Sequence, residues 1–379
     1  MVLAEDHPRT LYYAVLNVAP RPPETVAPVP ASGRARGVRR LLAVVGALSA
    51  LLVVLHWGAR KAIASALAYA PNSERIGARP GSLRLPLELS QRGAFTLEVA
   101  VGPPSATLES WVVAPRGTQS KGTIVLLHGV RTDKRSLIGV GEALSDAGYR
   151  AVLIDLRGHG ESSGRFLTYG EVEAKDVSSI LDALEARGTR LGCIGAYGFS
   201  YGGSVAVELG ARDRRIGTVV AVAPFSTVRG VLADYRHKYL PSPLSSLPDA
   251  WFQGAIDDAA GVADFDPDRS APLVAAAHSS ANLLFIHGTN DTQVPLRHSQ
   301  ALFDAARGNA RLLTLPGADH ATIPLDATGV VRRETVAWFE RWFERSPACT
   351  VRTPDKSPEV TASMATQRVR NIAQETRVP

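Results

Sequence analysis

The feature that most narrows the possible folds is a regular exchange of short apolar runs and longer helical stretches that begins near Gly122. The runs are "TIVLLH" (123–128), "RAVLID" (150–155), "LGCIGAY" (191–197), "GTVVAVA" (217–223), "NLLFIH" (282–287) and "ARLLTLP" (310–316). Helical patterns lie near 136–147, 171–187, 201–210, 295–307 and 332–346. Strands without polar alternation, separated by helices, predict a mostly parallel sheet covered on both faces. Ahead of them, "FTLEVAV" (95–101) and "TLESWVVAP" (107–115) are joined by "GPPS", which predicts a hairpin. The rhythm lapses at 224–281, where tyrosines, prolines and "DAWFQGAIDDAAGVADFDPD" predict a small lid insertion with short helices.

A second constraint sits near the N-terminus. "LLAVVGALSALLVVLHWGA" (41–59) has no formal charge and is flanked by Arg39-Arg40 and Arg60-Lys61. At a rise of about 1.5 Å per residue it nearly spans a hydrocarbon core of about 30 Å, so a single signal-anchor helix is expected. Arg34, Arg36, Arg39 and Arg40 precede it and only two basic residues follow closely, which favours an internal N-terminus and an external folded domain. A cleaved signal fits less well, because Ala68-Tyr69-Ala70 lies too far beyond the apolar run and the leader is long. The expected organisation is a disordered proline-rich leader (1–40), the span (41–59), a linker (60–94), a folded domain (95–345) and a disordered tail (346–379).

The net charge of +6 invites a nucleic-acid reading, but its distribution opposes one. Residues 1–61 contribute +5 and residues 350–379 contribute +2, which leaves the middle at about −1. No nucleic-acid partner is expected. The two cysteines make no disulfide framework, and Cys193, inside a strand pattern, reads as a small buried hydrophobe. Abundant Ala, Gly and Arg with little Lys suggests a bacterial chain.

Gly198-Phe199-Ser200-Tyr201-Gly202 follows a buried strand and opens a helix. In that context Gly-x-Ser-x-Gly predicts a sharp, strained turn: Gly198 and Gly202 let strand and helix approach while Ser200 projects its hydroxyl. A serine nucleophile needs a base and an orienting carboxylate. Asp291, in "HGTNDTQVP", and His320, in "LPGADH", both fall in loops after parallel strands, where such sheets place their sites. His320 is therefore expected as the base and Asp291 as the acid. His287 reads as structural, His128 as a loop brace, His298 as solvated and Asp319 as too close in sequence to orient His320. His159 lies in a suitable loop but lacks a carboxylate partner. The backbone N–H groups of Val130 and Tyr201 are the expected oxyanion donors, each worth about 3 kcal/mol. Phe225, Tyr235, Trp251 and Phe252 are candidates to line an apolar acyl channel, with simple lid packing as the alternative.

Taken with "LLHG" (126–129), "DLRGHGES" (155–162), "GFSYGG" (198–203) and "GADH" (317–320), the chain resembles the α/β-hydrolase superfamily over about residues 95–345. The "DLRGHGES" turn is similar to that of monoacylglycerol-lipase-like and serine-aminopeptidase-like members. No HGGG-type motif is present, unlike the hormone-sensitive-lipase-like esterases. The resemblance implies an eight-stranded, mostly parallel sheet with helices on both faces, antiparallel first strands and no cofactor or metal. It also implies the Ser200, Asp291 and His320 roles. Serine at the nucleophile position argues against epoxide hydrolases and haloalkane dehalogenases. The expected activity is hydrolysis of a small-molecule or lipid ester. Amidase or aminopeptidase, thioesterase, acyltransferase and an inactive membrane-tethered binding module remain as alternatives.

Overall fold

A computed structural model describes residues 33–72, 84–242 and 244–345. Most of the expected leader and the whole expected tail lie outside these residues. The chain divides into two units at His56/Trp57, and helix α1 (Gly33–Ala68) runs through the division. Its part from Gly37 to Ala68 contains an 18-residue window with a mean hydropathy of 2.2, and it is long and apolar enough to cross a membrane. The helix does not stop at 59. Residues 60–68, expected as linker, continue it because "KAIASALA" is rich in strong helix formers. Ala64 and Ala68 on one face of this last stretch are buried in the second unit.

The second unit continues with α2 (Leu87–Gln91), β1 (Phe95–Val101), β2 (Ala106–Val113), β3 (Thr123–Leu127), a 3-10 turn (Lys134–Leu137), α3 (Ile138–Asp146), β4 (Arg150–Ile154), α4 (Glu173–Ala186), β5 (Ile194–Phe199), α5 (Tyr201–Arg212) and β6 (Ile216–Val222). The insertion holds α6 (Val228–Tyr239), a short 3-10 turn, α7 (Asp249–Ala263) and α8 (Pro272–His278). Then come β7 (Asn282–Gly288), α9 (Arg297–Ala305), β8 (Ala310–Leu315) and α10 (Val330–Arg345). The eight strands form one sheet in the order β1-β2-β4-β3-β5-β6-β7-β8. β1 and β2 pair antiparallel, as do β2 and β4, and the remaining pairs are parallel. This is the α/β-hydrolase fold.

Strand period divides the core between the two faces. Val125 and Leu127 pack toward α4 and α5 with Val177, Ile180 and Val205. Ile124 and Leu126 pack toward α3 and α10 with Leu144, Trp338 and Phe339. Cys193 departs from expectation. It is half-buried and disulfide-bonded, and the chain's other cysteine, Cys349, lies outside the described residues. It precedes β5 rather than lying within it, so it is not enclosed by the two helix layers.

Two local features hold the strand ends that face the site. At the β5–α5 turn Ser200 has φ 53° and ψ −115°, a left-handed conformation that costs on the order of 1–3 kcal/mol. The approach around it excludes side chains. A Cβ on Gly198 would lie 2.0 Å from the Gly202 carbonyl oxygen, and one on Gly202 would lie 2.2 Å from that of Leu127. The second feature is a buried charge cluster. Lys134 Nζ donates to Asp155 Oδ2, lies 3.2 Å from Glu109 Oε1 and sits 4.8 Å from the Trp111 ring centroid. The Lys134 N–H also donates to Asp155 Oδ1 at 2.7 Å, and the Glu161 N–H donates to Oδ2 at 2.9 Å. Asp155 thereby ties the segment after β3 to the turn after β4. Burial, helped by a hydrogen bond with Glu161, pushes the Glu109 carboxyl up to about 7 against the opposing pull of Lys134.

Two expectations follow. Gly202→Ala should cost more than about 4 kcal/mol, whereas Gly217→Ala should leave urea melts nearly unchanged, because the nearest atom to its new Cβ is 3.9 Å away. The folded protein holds a proton on Glu109 between about pH 4.5 and 7 that the unfolded chain releases, so this group's contribution to stability falls as pH rises through that window. The melting temperature of Glu109→Gln relative to the parent should therefore be more favourable at about pH 8 than at about pH 5, and an equal difference at both would exclude this effect.

Candidate active site

Three loops at the carboxyl ends of β5, β7 and β8 bring together the residues singled out from the sequence. The Ser200 hydroxyl lies 2.9 Å from His320 Nε2, and His320 Nδ1 lies 2.6 Å from Asp291 Oδ2. With Nδ1–H donating to the carboxylate, Nε2 is left to accept the serine proton. Asp291 is held by its own loop: Oδ1 accepts the N–H groups of Gln293 at 2.9 Å and Val294 at 2.8 Å. Burial pushes this carboxyl up, but the His287 and His320 imidazoles beside it and the Val294 N–H outweigh it. The net result is a carboxyl held well below its usual range. An acid so placed stays ionised and stabilises an imidazolium beside it.

The other candidates fall as follows. His287 is fully buried; its Nε2–H donates to the Val294 carbonyl at 2.7 Å, and its Nδ1 lies 2.6 Å from Ser299 Oγ. It braces the loop that carries Asp291. Asp319 accepts the Ala321 and Thr322 N–H groups and leaves His320 alone. His159 is buried, donates Nδ1–H to the Arg157 carbonyl and stacks near Tyr201 with ring centroids 5.9 Å apart. His298 overturns its expectation. It is buried, with Nε2 2.8 Å from Asp234 Oδ2 and Nδ1 2.8 Å from Ser226 Oγ. Its helix face turns inward against the insertion, which a sequence periodicity cannot reveal. The residue types repeat those around Ser200, yet here the Ser226 N–H also binds Nδ1 at 3.2 Å. That set staples α6 to α9.

The turn after β3 sits directly against Ser200. A Cβ on Gly129 would lie 3.2 Å from Phe199 Cδ1 and 3.7 Å from Ser200 Cβ. His128 accepts the Leu156 N–H on Nε2 at 3.0 Å, so its Nδ1–H donates to the Gly129 carbonyl at 2.8 Å. Burial pushes the His128 imidazole down to about 3, so it stays neutral and able to accept. Thr132 Oγ1 donates to the same carbonyl at 2.7 Å. The Gly129 C=O and the Val130 N–H share one planar trans peptide and point in opposite directions. Fixing the oxygen therefore fixes the N–H.

A cavity of about 490 Å³ opens beside this turn, with Val130, Tyr201, Phe225, Tyr235 and Phe252 in its wall. Trp251 is not in that wall; it is buried edge-on against Phe252, centroids 5.0 Å apart, because successive residues of α7 face different directions. The lining also includes residues not singled out from the sequence: Ile63, Ala66 and Leu67 from α1, and Gln293 beside Asp291. The i, i+4 spacing of Ile63 and Leu67 was the available signal for the first group. Among the described residues, no cluster of three His, Cys, Asp or Glu side chains is placed to hold a metal ion.

Comparison with known proteins agrees with this architecture. The Bacillus subtilis protein YqkD is 26% identical over 242 residues, which cover 62% of this chain and 74% of that protein. A monoacylglycerol lipase of Mycolicibacterium smegmatis is 24% identical over 259 residues, 59% of this chain and 89% of the lipase. The Pyrococcus furiosus esterase Pf2001 shares the fold, with a TM-score of 0.53 and 21% identity over 70% of this chain and all of that one. The prolyl oligopeptidase family is matched over residues 140–346, a stretch that contains Ser200, Asp291 and His320. With this match and the eight-stranded sheet, the chain belongs to the prolyl oligopeptidase family of α/β hydrolases.

Proposed function

We propose that this hydrolase cleaves carboxylic esters through an acyl-enzyme formed on Ser200. The observation that carries the reading is the Ser200–His320–Asp291 hydrogen-bond chain beside an apolar cavity. Ser200 Oγ attacks the carbonyl carbon as its proton passes to His320 Nε2, and Asp291 stabilises the resulting imidazolium. The carbonyl oxygen becomes an oxyanion that receives the N–H groups of Val130 and Tyr201. As the tetrahedral adduct collapses, the carbon–oxygen bond to the leaving alcohol breaks, and His320 returns its proton to that oxygen. Water then enters, loses a proton to His320 and attacks the acyl carbon, releasing a carboxylic acid and restoring the Ser200 hydroxyl.

The wall chemistry favours esters over aminoacyl amides. Among the described residues that line the cavity, no Asp or Glu stands to receive a free amino terminus. The Mycolicibacterium smegmatis relative, a monoacylglycerol lipase, points the same way. Our reading also places the chain in a bacterial inner membrane through residues 41–59, with the catalytic unit outside the cytoplasm. The excess of Arg residues before the span supports this orientation.

With p-nitrophenyl acetate and p-nitrophenyl dodecanoate as substrates, Ser200→Ala should abolish turnover. Asp291→Asn should lower kcat by about 10⁴, because the amide no longer selects the Nδ1–H tautomer. An unchanged rate in Ser200→Ala would end the serine mechanism, and preferential cleavage of an aminoacyl amide would replace the ester reading. Orientation is testable by protease treatment of intact cells, where the catalytic unit should be digested. Protection until the cells are lysed would place it inside.

A further inference from the structure

The segment that follows the candidate membrane span is built into the substrate cavity. Ile63, Ala66 and Leu67 stand in the cavity wall, while Ala64 and Ala68 on the adjoining stripe are fully packed against the body. The segment is tied along its whole length. Arg60 reaches α7, donating Nη2–H groups to Asp258 Oδ1 at 2.9 Å and to the Gly254 carbonyl at 2.8 Å, with Nε on the second carboxylate oxygen. The Tyr169 hydroxyl donates to the Leu67 carbonyl at 2.9 Å, and Tyr169 itself lines the cavity. The Leu167 N–H donates to the Ala68 carbonyl at 2.9 Å, and the Ala70 N–H donates to the Arg165 carbonyl at 3.0 Å. Asn72 closes the strap, its N–H on the Gly158 carbonyl at 3.0 Å and its side-chain amide on the Gly160 carbonyl.

This strap does more than cover the sheet. The helix it fastens, α7, carries Phe252 and Ile256 into the same cavity. An Arg60–Asp258 pair with bidentate geometry fixes the spacing between the two apolar walls in a way a single contact would not. An acetyl group would fill little of a cavity of about 490 Å³. A long unbranched acyl chain buries apolar surface against both walls, and each added methylene adds favourable burial.

We propose that residues 57–72 form the acyl-chain wall of the active site, that Ile63 and Leu67 set chain-length preference, and that the substrates are esters of long-chain acids. The inference rests on the ester-hydrolase reading above. Its test uses the full-length protein in detergent and compares kcat/KM for p-nitrophenyl acetate, dodecanoate and hexadecanoate. Leu67→Trp fills the cavity, and the dodecanoate-to-acetate ratio should fall by at least about tenfold, the scale on which apolar pockets discriminate. Leu67→Ala, a milder change that also covers failure of the tryptophan variant to fold, should raise the hexadecanoate-to-dodecanoate ratio. Ratios unmoved in the folded variants would overturn the inference while leaving the hydrolase reading intact. Turnover that persists in Ser200→Ala would instead overturn the underlying reading.

Discussion

The structure depends on how closely β5 and α5 approach at their shared corner. Gly198 meets the backbone of Gly202 there, and Gly202 meets that of Leu127 at the end of β3, with no room for a Cβ at either glycine. That contact drives Ser200 into a left-handed conformation and presents its hydroxyl at the rim of the sheet. The turn after β3 then comes against the same corner, because Gly129 lies within van der Waals reach of Phe199 and Ser200. The positions of Ser200 and of the Gly129–Val130 turn follow from these close approaches. Backbone strain at Ser200 persists because the surrounding core leaves the chain no alternative.

Around this corner, buried polar groups are arranged to keep each loop in a single conformation. Asp155 binds a lysine and two N–H groups from the segments after β3 and β4. His128, kept neutral by burial, converts the position of the β4 turn into the orientation of the Gly129–Val130 peptide. His287 supports the Asp291 loop from below. None of these groups stands in the cavity wall, yet each holds a loop at the strand ends beside it. Leaving any one unpaired in such an interior would carry the desolvation cost of an orphaned polar group.

The insertion contributes part of the cavity wall. Its helices bring Phe252, Ile256 and Tyr235 to the cavity, and polar staples hold them: Asp234 to His298 on α9, and Asp258 to Arg60 on α1. The end of α1 is thus as much a part of the cavity wall as the insertion is. The cavity wall is shared between two segments far apart in sequence.

Local pattern was enough to read the sheet, the Ser200 corner and the Asp291 and His320 loops. Strand period, glycine placement and loop position are short-range signals, and each constrains its neighbours within a few residues. Contacts set by packing were not legible. His298 looked exposed because its helix face could not be oriented without the insertion that covers it. Trp251 looked equivalent to Phe252 until α7 was placed, and the run from Arg60 to Ala68 looked like a tether until it was seen against Tyr169 and Asp258. By itself, the sequence determined the scaffold and which loops meet at its rim, since those follow from periodicity and backbone sterics. Only the tertiary structure decided which side chains enclose the cavity, because that depends on how separate segments turn their faces toward one another.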